Sequence, residues 1–174
     1  MSHREQVEYC KRVKSFMTEH FEDKVVLDCG SLDINGSNRY LFDRCEYIGV
    51  DLGNGDNVDI VSPIHELDFS DETFDTIIST ECFEHDKHFV DSLKNIVRML
   101  KPDGLFLFTC ATTGRHEHGT TRTSPQDAPF TNDYYRNLTE ADIRSAIPID
   151  DIFDESLFTT LDTTHDLQFW GIKK

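Results

Sequence analysis

Two short apolar runs, Val25-Val26-Leu27 and Tyr47-Ile48-Gly49-Val50, each break off at an aspartate, Asp28 and Asp51, and the first turns at once through Cys29 into Gly30. Brief β-branched runs bounded by turn residues are the pattern of strands buried on both faces, as in a parallel sheet. Asp59-Ile60-Val61 and Phe74-Asp75-Thr76-Ile77-Ile78-Ser79 continue the series. Phe89, Leu93, Ile96, Val97 and Leu100 then fall on one helical stripe, which Lys101-Pro102-Asp103-Gly104 ends before a strand from Leu105 to Cys110. Parallel neighbours need right-handed crossovers, which restricts the chain to an α/β fold with its ligand beyond the strands' carboxyl ends, where strand order reverses.

The flanking segments complete this plan. Ser2 with Glu5 reads as a capping box for an N-terminal helix within residues 1–22, carrying Val7, Cys10, Val13, Met17 and Phe21 on one face. Thr139 with Asp142 caps a second helix with Ile143, Ala146 and Ile147, which Pro148 terminates. Phe153–Thr160 and Leu167–Ile172 pair as an antiparallel hairpin at the sheet edge. The expected architecture is a Rossmann-like, doubly wound, mostly parallel sheet with that hairpin at its C-terminal end, and residues 1–174 form one domain. The stretch 111–138 is longer than a connection needs, and reads as a substrate cover.

Composition removes several functions. A net charge of −16 repels phosphate backbones and anionic lipid, and the 17 Lys and Arg form no run that offsets it, so neither nucleic acid nor membrane is an expected partner. Met1 to Phe16 lacks the apolar core of a signal peptide, so a cytoplasmic location is expected. Cys10, Cys29, Cys45, Cys82 and Cys110 are odd in number and contain no C-x-x-C pair, which argues against a disulfide framework and a zinc ribbon.

At the first strand's end, Gly30 lets a ligand approach the main chain closely. About twenty residues on, Asp51 ends the second strand, where a carboxylate can accept both hydroxyl hydrogens of a ribose. Either residue alone also serves as a turn glycine or a loop cap; together they indicate an adenosine nucleoside. A pyrophosphate needs a helix start free of acids, yet Asp28 and Asp33 occupy this loop, whose first cation is Arg39. That balance favours the sulfonium and ammonium of S-adenosylmethionine over a dinucleotide.

From about Val25 to Phe108 the sequence resembles the class I S-adenosylmethionine-dependent methyltransferases, especially those with a short methyltransferase domain. Leu-Asp-Cys-Gly-Ser at 27–31 is similar to the family's first motif and Tyr-Ile-Gly-Val-Asp at 47–51 to its ribose-binding segment. Phe-Asp-Thr-Ile-Ile-Ser-Thr-Glu-Cys-Phe-Glu-His at 74–85 is similar to the fourth strand, and Leu-Lys-Pro-Asp-Gly-Leu-Phe at 100–106 to the loop into the fifth. The resemblance implies that main chain near Gly30 and Ser31, and Ser79, Thr80 and Glu81, hold the methionine end. Asp28 would face the ammonium through water, Asp51 with Leu52 would hold the ribose, and Ile64 would flank the adenine. The chain departs from the family at Leu32 and Ile34, where glycine is common, and at Pro63, where many relatives carry an adenine-reading aspartate.

Methyl transfer is an in-line displacement that needs alignment and dryness more than a covalent residue. A hydroxyl nucleophile gains from a general base, for which His85 and His116 are the candidates. His85 can equally fix its loop with Glu84. His118, Tyr134, Tyr135 and Arg136 are candidate substrate contacts in the long loop; the tyrosines can instead pack beneath it while Arg136 pairs with a surface acid. Asp133–Thr139 resembles a segment of family members in glycan and sugar-modification pathways. A zinc site from Glu81, His85, His88, His116 and His118 matches no closed-site spacing, so no metal is expected. The expected activity is transfer of a methyl group to a small polar acceptor, a sugar or its precursor among them. A non-catalytic cofactor- or partner-binding module and a nicotinamide-dependent oxidoreductase are the alternatives.

Overall fold

The computed structural model describes residues 4–174, so Ser2 of the expected capping box lies outside the described residues. The strands are β1 (Val25–Cys29), β2 (Glu46–Asp51), β3 (Ile60–Val61), β4 (Phe74–Thr80), β5 (Leu100–Ala111), β6 (Phe153–Leu161) and β7 (Asp166–Lys173). They form one sheet in the order β3-β2-β1-β4-β5-β7-β6. β1 to β5 are mutually parallel, and β7 runs antiparallel between β5 and β6. The α/β architecture with a C-terminal edge hairpin is therefore as expected, and strand order reverses between β1 and β4.

Both sheet faces are buried because successive side chains alternate across each strand. Leu27, Ile77, Phe106 and Phe108 enter one core, with Leu93 and Ile96 of α2 (Phe89–Met99) and Ile143 of α3 (Glu140–Ala146). Val26, Ile78, Leu105 and Leu107 enter the other, against Tyr9, Cys10 and Val13 of α1 (Arg4–Phe16). Thr139 and Asp142 form the expected capping box, each accepting from the other's backbone N–H, a device worth ~1 kcal/mol. α3 ends before Pro148, and a further single turn, α4 (Ile149–Ile152), follows.

Four local expectations are corrected. The N-terminal helix stops at Phe16, and Met17 and Phe21 reach the core from a separate 3-10 turn at Thr18–His20. No α-helix joins β1 to β2, where a crossover between parallel strands usually carries one; after Gly30 the chain runs through a loop and a 3-10 turn at Asn38–Leu41. Asp33 sets this loop, its Oδ1 accepting from Gly36 N at 2.7 Å, an Asx turn that competes with helix. The face that a β1–β2 helix would cover is covered by α1 instead. The third strand shrinks to Ile60–Val61. Lys101–Gly104 does not precede the fifth strand but lies inside it as an irregularity: Leu100 pairs with Phe74, pairing resumes at Leu105 with Thr76, and Asp103 takes φ 58°.

The long loop from Ala111 to Leu138 has its ends tied by Leu138 N donating to Ala111 O at 2.9 Å. From there it crosses the carboxyl end of the sheet to the far side of β1. Phe130 packs so tightly on Gly53, just past β2, that a Cβ there would lie 2.1 Å from its ring. The crossing places the loop's middle over the reversal point.

Candidate functional site

A single cleft opens at this point, about 910 Å³ including its open mouth, and Asp28, Gly30, Ser31, Asp51, Leu52, Ile64, Thr80 and Glu81 line it. Eight of the nine residues expected to hold a cofactor thus come together. Ser79 does not join them. It is fully buried, and its hydroxyl donates to Cys29 O at 2.9 Å, holding β4 to β1.

Gly30 sits at φ +80°, and a Cβ there would lie 2.6 Å from Cys82 Sγ. The glycine is thus required by its own conformation and by Cys82, in addition to any ligand. A Gly30→Ala substitution is expected to destabilise the fold by ~1–3 kcal/mol, read as a lower melting temperature. The Gly30 and Ser31 amides both donate to Val50 O, at 2.9 and 3.0 Å. At the bend, then, the Gly30 carbonyl oxygen is what main chain can offer, an acceptor suited to an ammonium.

Asp51 fits a diol. Its Oδ2 accepts from Leu32 N at 3.1 Å and its Oδ1 from Leu52 N at 2.7 Å, so both oxygens are fixed with lone pairs to spare. Burial pushes its pKa upward against these amides. The loop-capping role that the sequence left open and the ligand role are compatible in one carboxylate.

Asp28 lies at the floor, 1% exposed. Tyr47 OH donates to its Oδ2, and Asn38 Nδ2 reaches its Oδ1 at 3.4 Å. Burial outweighs both bonds and pushes the carboxyl up to about 6. Asn38 also donates to Thr80 Oγ1 at 2.9 Å and lines the cleft. Asn38, Tyr47 and Cys82 escaped the sequence reading, since only strand register and the missing helix bring them to Asp28 and Gly30. Glu81, at φ 52°, accepts from Thr109 Oγ1 at 2.9 Å.

On the opposite wall, His85, Asp86, Asp127, Ala128, Pro129 and Thr131 complete the lining. No lysine or arginine lines the cleft among the described residues, whereas Asp28, Asp51, Glu81, Asp86 and Asp127 do. Burial, with His118 adding to it, pushes the His85 imidazole down to about 3, so it is uncharged at neutral pH. The electrostatics suit a cation and oppose a pyrophosphate.

The remaining expected contacts lie off this lining. His116 is exposed, and only its carbonyl is used, accepting from His118 Nδ1 and Tyr135 OH, both at 3.2 Å. Tyr135 packs its ring against His85 and His118 with centroids 5.4 and 5.0 Å away. Tyr134 sits in the loop's closing turn, its N–H donating to Thr131 O. Arg136 pairs with Asp142 and lies over Phe89. The contacts of Tyr135 and Arg136 match the packing alternative left open by the sequence. His118 is buried behind the wall, and so is Glu84, whose carboxyl is pushed well up by burial and by nearby Glu81. Of the five residues weighed for zinc, His88 stacks on His65 at 4.3 Å and His116 is exposed, while Glu84 takes a place beside His85 and His118.

Fold and cleft define a doubly wound α/β protein with an acid-lined site at its strand-order reversal. The profile of the family described as methyltransferase domain matches residues 27–108. The matched segment is a little under half of the chain and spans the stretch that resembles the class I S-adenosylmethionine-dependent methyltransferases, a likeness that agrees with S-adenosylmethionine as the expected cofactor. Among solved structures the chain is similar to the Burkholderia thailandensis 1,6-didemethyltoxoflavin-N1-methyltransferase, whose structure contains 1,6-didemethyltoxoflavin and S-adenosylhomocysteine. That likeness has 18% identity and a TM-score of 0.68, and covers 97% of this chain and 78% of the other. A SAM-dependent methyltransferase from Aquifex aeolicus is similar at 12% identity and TM-score 0.62, covering 96% and 98%. Phosphoethanolamine N-methyltransferase 2 of Haemonchus contortus is similar at 18% identity and TM-score 0.61, covering 93% and 52%. No curated protein sequence matches the chain. Among the described residues no helix is long and apolar enough to cross a membrane.

Proposed function

We propose that the cleft aligns S-adenosylmethionine with a small, polar, uncharged or cationic acceptor that enters beneath the 111–138 loop. The lining carries this reading: five carboxylates, no lysine or arginine, and a neutral imidazole. Asp51 and Leu52 would hold the ribose, Ile64 would flank the adenine, and the Gly30 carbonyl with Asp28 would face the ammonium. Thr80 and Glu81 would border the methionine chain. The sulfonium supplies the methyl group, and alignment alone can contribute ~7–11 kcal/mol.

His85 is the one base candidate that reaches the cleft, and so weak an imidazole favours catalysis by positioning over strong base catalysis. Asp86 and Asp127, on the loop side, suit hydroxyl or ammonium donors and oppose phosphorylated or carboxylated acceptors. Sugars and sugar precursors without phosphate fall in the accepted class. Incubation with methyl-labelled cofactor and panels of neutral sugars, amines and sugar phosphates tests the reading. Label is expected in a neutral or cationic acceptor; label confined to phosphorylated acceptors would refute it.

A further inference from the structure

Behind the cleft wall lies a cluster of three side chains, of which only His85 lines the cofactor cleft. Both carboxylate oxygens of Glu84, both ring nitrogens of His85 and Nε2 of His118 are buried and make no well-formed hydrogen bond, although backbone groups of Glu84, Ala111 and Tyr134 approach the first two side chains. Glu84 is 0%, His85 6% and His118 9% exposed. An unpartnered buried polar atom costs ~1–3 kcal/mol, more when charged, so five on three touching side chains call for a ligand.

The three chains come from two separate segments. Glu84 and His85 belong to the 3-10 turn at Phe83–His85 just past β4, and His118 arrives from the long loop. One ligand atom from each lies within 4.8 Å of the others. His118 Nε2 stands 4.0 Å from Glu84 Oε1, too far for a hydrogen bond. Around a tetrahedral ion with bonds of about 2.0–2.1 Å, neighbouring donors sit ~3.3 Å apart, so a small inward rotation closes the set.

The tautomer is already selected. His118 Nδ1 faces the carbonyl oxygen of His116 at 3.2 Å, and a carbonyl can only accept, so Nδ1 carries the hydrogen and Nε2 carries the lone pair. A ring N–H given to a backbone carbonyl is the usual support of a ligating histidine. Tyr135 packs on both imidazoles, and a Cβ at Gly119 would lie 2.7 Å from His85 Cε1. The loop thus has the support, packing and clearance of a built site.

We propose that Glu84, His85 and His118 bind one divalent first-row transition cation. Two imidazoles and one carboxylate favour a zinc- or cobalt-like ion over magnesium or calcium, which prefer all-oxygen shells. Because His85 also lines the cofactor cleft, the ion's remaining coordination positions would adjoin the acceptor end of that cleft. This inference goes beyond the proposed acceptor class and does not depend on it.

The test uses the full chain, stripped with a chelator and titrated with Co²⁺ alone, followed by calorimetry and visible absorption. One Co²⁺ per chain is expected, with affinity falling more than ~100-fold in both Glu84→Gln and His118→Gln, beyond what loss of an outer partner does. His116→Ala, altering only the exposed neighbour, should bind as the parent does. Glu84→Gln is isosteric and adds no charge to the buried position, so it should stay folded; S-adenosylhomocysteine affinity equal to the parent's checks this. Co²⁺ should raise the melting temperature of the parent and leave that of Glu84→Gln unchanged. No Co²⁺ uptake by the folded parent, or uptake equal in the parent and both variants, would overturn the site. Failure of the parent to bind S-adenosylhomocysteine would instead count against the cofactor cleft.

Discussion

Replacing Asp51 by alanine is expected to weaken S-adenosylhomocysteine binding by ~10²- to 10⁴-fold. Two hydrogen bonds from ribose hydroxyls to a carboxylate are worth ~1.5–3 kcal/mol each before water replaces them. The loss extends beyond the ligand, because the Leu32 and Leu52 amides that now donate to Asp51 would lose their acceptor. The Leu32 loop, one wall of the cleft, would then loosen. Asn at this position keeps one acceptor oxygen, so Asp51→Asn should fall between the parent and the alanine variant. Calorimetry of the three proteins with S-adenosylhomocysteine checks the order, and equal affinities across the series would remove Asp51 from the ribose.

The second large effect is expected at Asp28, where stability and binding should move in opposite directions. Its carboxyl is held at about 6 in the fold against 3.8 as a free side chain. Between those values the folded chain holds the proton more often than the unfolded one, so stability falls as pH rises through pH 4–6, and the whole penalty is present above 6. Two pKa units correspond to about 3 kcal/mol. Asp28→Asn removes the penalty while its oxygen still accepts from Tyr47. One donor–donor approach, at the Asn38 amide now 3.4 Å away, limits the gain. Melts at pH 8 should show the variant several degrees more stable, and the gap should close towards pH 4. Its cofactor affinity should fall about tenfold, with the negative charge beneath the ammonium gone. In the parent, affinity should drop as pH is lowered through 6. A variant less stable than the parent at pH 8 would contradict the assigned cause.

How much of this was readable beforehand follows from which interactions are local. Val25–Leu27 and Ile77–Ile78 had to be buried strands because β-branched and aliphatic runs of that length need cover on both faces. Asp28, Gly30 and Asp51 followed from where the runs stop. The missing helix after β1 was harder, though Asp33 and Gly36 carried the turn signal that replaces it. Asn38 and Tyr47 could not be found, since their contact with Asp28 exists only once β2 is in register with β1. Ser79 lies off the lining for a related reason: strand alternation turns its hydroxyl onto Cys29 O.

The long loop hid most. Arg136 and the tyrosines suggested substrate contacts because loop residues of those types often make them. In the fold the Arg136 guanidinium rests against Phe89 and Asp142, and Tyr135 against two imidazoles. The loop's contribution to the cleft comes from Asp127, Ala128, Pro129 and Thr131, a stretch with no distinguishing pattern. Glu84 beside His85 was visible as a pair. Its burial against His118 was not, because that partner comes from the far side of β5.

Titration of the purified chain with S-adenosylhomocysteine and, separately, with NADH asks most directly whether this bend and this carboxylate form one nucleoside site. Saturable heat at one equivalent of S-adenosylhomocysteine, with none from NADH, is the expected outcome. Heat from NADH alone would contradict an acid-lined cleft built for a sulfonium.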